Sequence, residues 1–130
     1  MKKIIACFIV LILAPIISLV FNARIVLPKD SDVISLWLYD SLNSKEVLIN
    51  KEMESTITNA LESSRMRLCL IDDNTVPDYI LVVDYNKDDL SYCLHINILP
   101  NSIYVRSDNN KTIYRITDND IFDIIKHYVP

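Results

Sequence analysis

Cys93 and His95 are the two side chains in this sequence whose types and spacing could do chemistry together, a thiol and an imidazole two residues apart. A Cys–His nucleophile needs the imidazole in hydrogen-bond contact with the sulfur. In an extended strand, side chains at i and i+2 point the same way without that contact. The expectation is therefore a partly exposed histidine beside a disulfide-bridged cysteine, with no catalytic residue. The other histidine, His127, falls near the end of a helical stretch, where it meets the negative end of the helix dipole. Asp118, Asp120 and Asp123 are spaced like a calcium loop. An EF-hand, however, needs a glycine at its sharp turn and a bidentate Glu at its twelfth position, and neither is present. A solvated, helix-capping acidic turn is the better reading, and Asp84, Asp88 and Asp89 read as turn and edge residues. No metal ligand set and no cofactor are expected.

Glycine is absent from all 130 residues. That removes Gly-rich phosphate loops, the dinucleotide fingerprint and the G-x-S-x-G nucleophile elbow. Turns that need positive φ must then use Asn and Asp. The clusters Asp72-Asp73-Asn74, Asn86-Lys87-Asp88-Asp89 and Asp108-Asn109-Asn110 stand where such turns are wanted. Asn110-Lys111-Thr112 fits a glycosylation sequon, which matters only in a eukaryotic secretory pathway.

The first 21 residues position everything else. Lys2 and Lys3 precede an apolar run from Ile4 to Phe21, with no charge until Arg24. Eighteen residues at a 1.5 Å rise give roughly 27 Å, close to the hydrocarbon thickness of a bilayer. The run is long for a signal peptide, and its cleavage points are poor: Pro15 follows Ala14, and Phe21 occupies the position before Ala23 where a small residue is wanted. The expectation is a retained signal anchor over residues 1–21, with a cleaved signal and a soluble periplasmic domain as the alternative. Cys7 lies before the apolar core, so it is not a lipoprotein box. The basic start points to a cytoplasmic N-terminus and an exported remainder.

Residues 22–32 read as a linker and 33–130 as one domain. Beyond the anchor, the 13 Lys+Arg less Lys2 and Lys3 face all 17 Asp+Glu, a net of −6. Such a balance opposes direct nucleic-acid binding and a polybasic membrane patch. Two cysteines, Cys69 and Cys93, follow the anchor; in an oxidising compartment they suggest one disulfide, the alternative being two separate buried thiols.

Period and turn signals give the elements. Strands are expected at Val33–Tyr39 and Glu46–Asn50, with a helix from Asn43 as rival to the second. A helix follows, with Met53, Ile57, Ala60, Leu61 and Ser64 on one face. Five strands come next: Arg65–Ile71, Tyr79–Tyr85 (apolar enough for burial on both faces), Leu90–Ile98, Ile103–Ser107 and Thr112–Ile116. A last helix capped by Thr117 or Asp118 carries the stripe Ile121, Phe122, Ile124, Ile125, Tyr128 and Val129. After the N-terminal transmembrane helix the order is β-β-α-β-β-β-β-β-α, an α+β domain with a mostly antiparallel curved sheet and helices on one face.

Trp37, Tyr39, Tyr79, Tyr85, Tyr92, Tyr104 and Tyr114 all fall on expected strands. Of these, Trp37, Tyr39, Tyr85, Tyr92, Tyr104 and Tyr114 are candidates for a partner-binding surface, since Tyr and Trp dominate interface hot spots. The layout, with its basic start Met1-Lys2-Lys3, one span Ile4–Phe21, a domain of this size and the pair Cys69 and Cys93, resembles the ToxS-type and fimbrial-regulator accessory proteins of enteric bacteria. That resemblance implies a bacterial inner-membrane protein with a periplasmic domain. It also implies an accessory partner that stabilises or modulates a membrane-bound virulence transcription regulator, with a small apolar ligand possible in a shared domain. More broadly, the sequence points to a non-enzymatic domain that binds another membrane or periplasmic protein. A periplasmic immunity or inhibitor protein, its acidic surface meeting a basic toxin, is the alternative.

Overall fold

The computed structural model describes the chain except residues 22, 70–74, 108–111, 118–119 and 130, with the backbone alone for 18–21 and 107. Helix α1 spans Lys2–Phe21 and contains Pro15. Its apolar side chains from Ile4 to Ile17 are exposed, Leu11 by 70%. Among the described residues no helix is long and apolar enough to cross a membrane. The fold by itself thus gives an exposed apolar helix, not the expected span.

Eight strands follow: β1 (Arg24–Ile25), β2 (Asp32–Asp40), β3 (Lys45–Val47), β4 (Arg65–Cys69), β5 (Tyr79–Lys87), β6 (Leu90–Ile98), β7 (Ile103–Ser107) and β8 (Ile113–Ile116). Helix α2 (Lys51–Ser63) separates β3 from β4, and α3 (Asp120–Tyr128) follows β8. Asn50 caps α2, its Oδ1 accepting from the Met53 N–H at 2.8 Å, which satisfies one of the donors every helix start leaves open. The cap falls here because Lys45–Val47 pairs with β2, so the rival helix from Asn43 does not form. That hairpin turns on Asp40, whose carboxylate accepts from the Leu42 N–H, the Asn43 N–H and Asn43 Nδ2, and Ser44 takes φ 51°. Asp88 and Asp89 take φ 51° and 62° between β5 and β6. Positive φ at both central residues of a two-residue loop is the type I′ signature that matches strand twist. Asp therefore does there what glycine ordinarily does. The clusters at 72–74 and 108–110 lie outside the described residues, as does Asp118. Thr117 does not cap α3: its N–H and its hydroxyl both bond the Arg65 carbonyl.

The strands form one antiparallel sheet in the order β1-β4-β8-β7-β6-β5-β2-β3. Both helices pack on one face. Met53, Ile57 and Leu61 of α2, with Ile121, Phe122 and Ile125 of α3, close over Leu38, Leu81, Val83, Ile96, Ile98, Ile103 and Val105. Tyr79 and Phe122 rings lie 6.5 Å apart, and the Tyr128 hydroxyl reaches Glu52 Oε1 of α2 at 3.4 Å. Along β5 burial alternates residue by residue. The strand is thus covered on one face, not on both as its apolar run suggests; Ile80 and Val82 face the uncovered side.

The expected linker is partly structural. Val26 and Leu27 are 2% and 0% exposed. Their N–H groups donate to the carbonyls of Ser64 and Leu61 at 3.1 and 3.2 Å, closing the end of α2. Arg24–Leu27 are therefore held to β4 and the end of α2.

Cys69 and Cys93 are not linked. Cys69 pairs with Ile113, Ile113 with Arg106, and Arg106 with His95, so β4 and β6 are three strands apart. At about 4.8 Å per strand that is roughly 14 Å, against the ~7 Å that limits a disulfide between Cα atoms. Reductant should leave the melting temperature unchanged, and intact mass without reductant should show no hydrogens lost. Leu27→Ala should destabilise the domain by about 2–5 kcal/mol in chemical denaturation, whereas Leu48→Ala, at 92% exposed, should change little; a silent Leu27→Ala would return residues 24–27 to a linker.

Candidate functional site

The face of the sheet opposite the helices is where the remaining side chains converge. Register places them in rows across the strands. One row runs Arg67, Arg115, Tyr104, Asn97, Ile80, Tyr39, and the next Cys69, Ile113, Arg106, His95, Val82, Trp37. All are half-buried or exposed, and among the described residues no second layer covers them. Trp37 is 38% exposed, and its ring stacks on Tyr39 at 5.7 Å and 15°. The outer edge of β2 from Asp32 to Trp37 has no strand beside it among the described residues, because β3 pairs only with Leu38–Asp40. A bulge between Val33 and Ser35 disrupts that edge.

Of the six aromatic candidates, Trp37, Tyr39 and Tyr104 share this open face. The other three lie on the opposite side. Tyr85 is buried and stacked on Tyr92 at 5.2 Å; burial, then the neighbouring Tyr92, raise its phenol above the ordinary value. Tyr114 carries the Arg24 guanidinium 5.9 Å from its ring centroid, with Nη1 3.4 Å from its hydroxyl.

Cys93 and His95 do meet, contrary to the expectation from strand spacing: Sγ lies 3.6 Å from Nε2. Asp84, directly across from Cys93 on β5, completes a cluster with Ser35, whose hydroxyl donates to Oδ2 at 2.8 Å. The carboxyl of Asp84 is held below the ordinary value by the Cys93 thiol donating to it, then by Ser35, with burial opposing and the charge of His95 adding. The order of contacts is the reverse of an activated nucleophile. There the carboxylate orients the histidine, which takes the proton of the thiol; here the carboxylate accepts from the thiol itself. Among the described residues no three acidic, histidine or cysteine side chains are placed to hold a metal.

Asp120 and Asp123 sit in the first turn of α3, and Lys126 and His127 in its last, each matching the helix dipole. His127 is edge-on to Tyr128 at 5.3 Å. Two open grooves flank α2, one of about 420 Å³ lined by Ser31, Val33, Lys51, Glu54, Ser55, Thr58 and Asn59, the other of about 410 Å³ lined by residues including Lys29, Glu62 and Arg65.

No protein family, curated protein or solved structure matches this chain, so the functional reading rests on the geometry. Sequence reasoning missed the arginines. Arg65-Met66-Arg67 has the alternation of a half-covered strand, but only register brings Arg115 beside Arg67.

The depressed carboxyls fix a pH dependence. A group whose folded pKa lies below its unfolded value stabilises above the unfolded pKa and loses that contribution as pH falls through the folded one. Asp84 is such a group, and so is Asp40, 1% exposed, lowered first by Asn43 Nδ2 against burial, then by the N–H groups of Asn43 and Leu42 and the charge of Lys45. Asp84→Asn and Asp40→Asn should each lower the melting temperature near pH 7, and the loss should shrink as pH falls below the ordinary carboxylate range and through each group's lowered folded value. An equal loss across that range would show that the charged hydrogen bonds are not the cause.

Proposed function

We propose that this chain is a membrane-anchored, non-enzymatic domain that works by binding another protein. In this reading α1 is retained as a single span, and the α+β domain stands on the extracytoplasmic side of a bacterial inner membrane. The observation that carries it is α1 itself. Its apolar side chains from Ile4 to Ile17 are exposed, far beyond the few hundred Å² of contiguous apolar surface a soluble monomer leaves open. The described side chains alone fall short of a span, but the helical backbone runs on to Phe21, and its 20 residues reach about 30 Å. Lys2 and Lys3 at its start favour a cytoplasmic N-terminus.

The open face supports the second half of the reading. Trp37 stacked on Tyr39 beside Ile80 and Val82 joins rigid aromatic anchors to an apolar floor, the composition of an interface centre. An accessory partner of a membrane-bound transcription regulator, as in the ToxS-type proteins, fits a domain so tethered and so exposed.

After expression of the full chain, alkaline carbonate should leave it in the membrane fraction, with Met1 still present by intact mass. Release into the soluble fraction, or a mass beginning after residue 21, would remove the anchor. Trp37→Ala with Tyr39→Ala should abolish co-purification of the partner in mild detergent while changing folding stability by no more than about 1 kcal/mol. A partner retained at wild-type level would move the interface away from this face.

A further inference from the structure

The open face divides into two chemically different halves. Trp37, Tyr39, Ile80 and Val82 occupy the β2–β5 half. The β4–β8–β7 half holds Arg65, Arg67, Arg106 and Arg115, every arginine beyond Arg24. Arg65 and Arg67 share a face as i and i+2 of β4. Arg67 lies directly across from Arg115, which is itself across from Tyr104, and Arg106 lies one row away beside His95. In a chain of net charge −4, arginine has been collected on half of one sheet face; Arg65, at its edge, shares a groove with Glu62 of α2, while among the described residues no Asp or Glu stands in the rows of Arg67 and Arg115.

We infer that this half is a docking surface for a carboxylate-bearing, extended segment of the partner protein. The inference rests on the protein-binding reading above and names the chemistry of the partner. Like charges directly opposite on neighbouring strands destabilise a sheet by a few tenths to about 1 kcal/mol, and among the described residues neither Arg67 nor Arg115 has a carboxylate to relieve it. A carboxylate arriving from outside does relieve it, and guanidinium takes carboxylate through two parallel hydrogen bonds where an ammonium acts as a point charge. Alternate residues of an extended segment lie about 7 Å apart on one side. Two such carboxylates can therefore each meet one arginine, with the Tyr104 hydroxyl beside Arg115 as a further donor. A protein segment is favoured over a lipid surface because Trp37 and Tyr39 continue the same rows, and Arg, Trp and Tyr together are the residue types of protein hot spots.

The probe is a labelled peptide of alternating glutamate and valine, its control the same peptide with glutamine for glutamate, titrated against the full chain in neutral detergent by fluorescence anisotropy. The wild-type chain should bind the glutamate peptide with a salt-dependent affinity and the control at least about ten-fold more weakly. Arg67→Gln with Arg115→Gln should lower that affinity about ten-fold or more while leaving the melting temperature equal or higher, because the repulsion is removed. Arg24→Gln, which loses its contact with Tyr114 on the covered side, should lower the melting temperature and leave peptide binding unchanged. Equal binding of the two peptides, a paired variant that binds as wild type, self-association of the chain in place of peptide binding, or binding to phosphatidylglycerol vesicles without binding to the peptide would each overturn the inference. Partner capture separates the two levels. If the paired arginine variant keeps the partner and the Trp37/Tyr39 variant loses it, the acidic segment is wrong and the protein-binding reading stands.

Discussion

The rest of the structure depends on the one-sided covering of the sheet. Two helices close one face, so each strand must sort its residues by parity. β5 does this from Tyr79 to Tyr85, sending alternate residues to the core and the open side. Since the side-chain period is two, a slip of one residue would exchange the faces entirely. The register is held by the longest pairing, β5 with β6 from Tyr79↔Ile98 to Lys87↔Leu90, and by its turn. Asp88 and Asp89 take the left-handed backbone that a two-residue hairpin requires. Without glycine, two acidic residues bear the conformational cost at the point that fixes which side of the protein is which.

Much of this was legible because it is local. The amphipathic spacing of Met53, Ile57 and Leu61, the alternation of Leu94, Ile96 and Ile98, and the Asp88-Asp89 turn each carry their own signal within a few residues. The failures are all non-local. Val26 and Leu27 read as linker because only two residues before them form a strand, and their burial comes from the end of α2, far along the chain. Tyr79–Tyr85 read as doubly buried because its outward residues are Ile80 and Val82; an apolar run cannot say whether a second layer exists. The Cys69–Cys93 pairing looked plausible until strand order put β8 and β7 between them.

The site was half legible for the same reason. Aromatics on strands could be picked out, but not sorted: the rows that unite Trp37, Tyr39 and Tyr104 and exclude Tyr85, Tyr92 and Tyr114 exist only once parity is fixed in every strand. Ideal strand geometry argues against a contact between Cys93 and His95, whereas this thiol and imidazole on one strand face come within 3.6 Å. What the sequence also hid is that Asp84 arrives from the neighbouring strand. Its arrival turns an apparent nucleophile pair into a hydrogen-bonded cluster built around an ionised carboxylate.

The open face is poorly explained by folding alone. A sheet face meant only for water is best served by mixed charges and polar residues, with no like charges opposed and few large aromatics left exposed. This face has Arg67 against Arg115 and Trp37 against Tyr39. Opposed like charges cost the isolated domain stability; the Trp37–Tyr39 stack is favourable in itself but leaves Trp37 38% exposed, and proteins commonly keep such local departures where a binding site requires them. The same logic applies to α1, whose exposed apolar side chains gain nothing from water. Both features are unfavourable for a molecule alone in solution. Both become favourable if the helix has lipid around it and the sheet has a second protein against it, and one hypothesis then accounts for two otherwise separate departures from a well-made soluble fold.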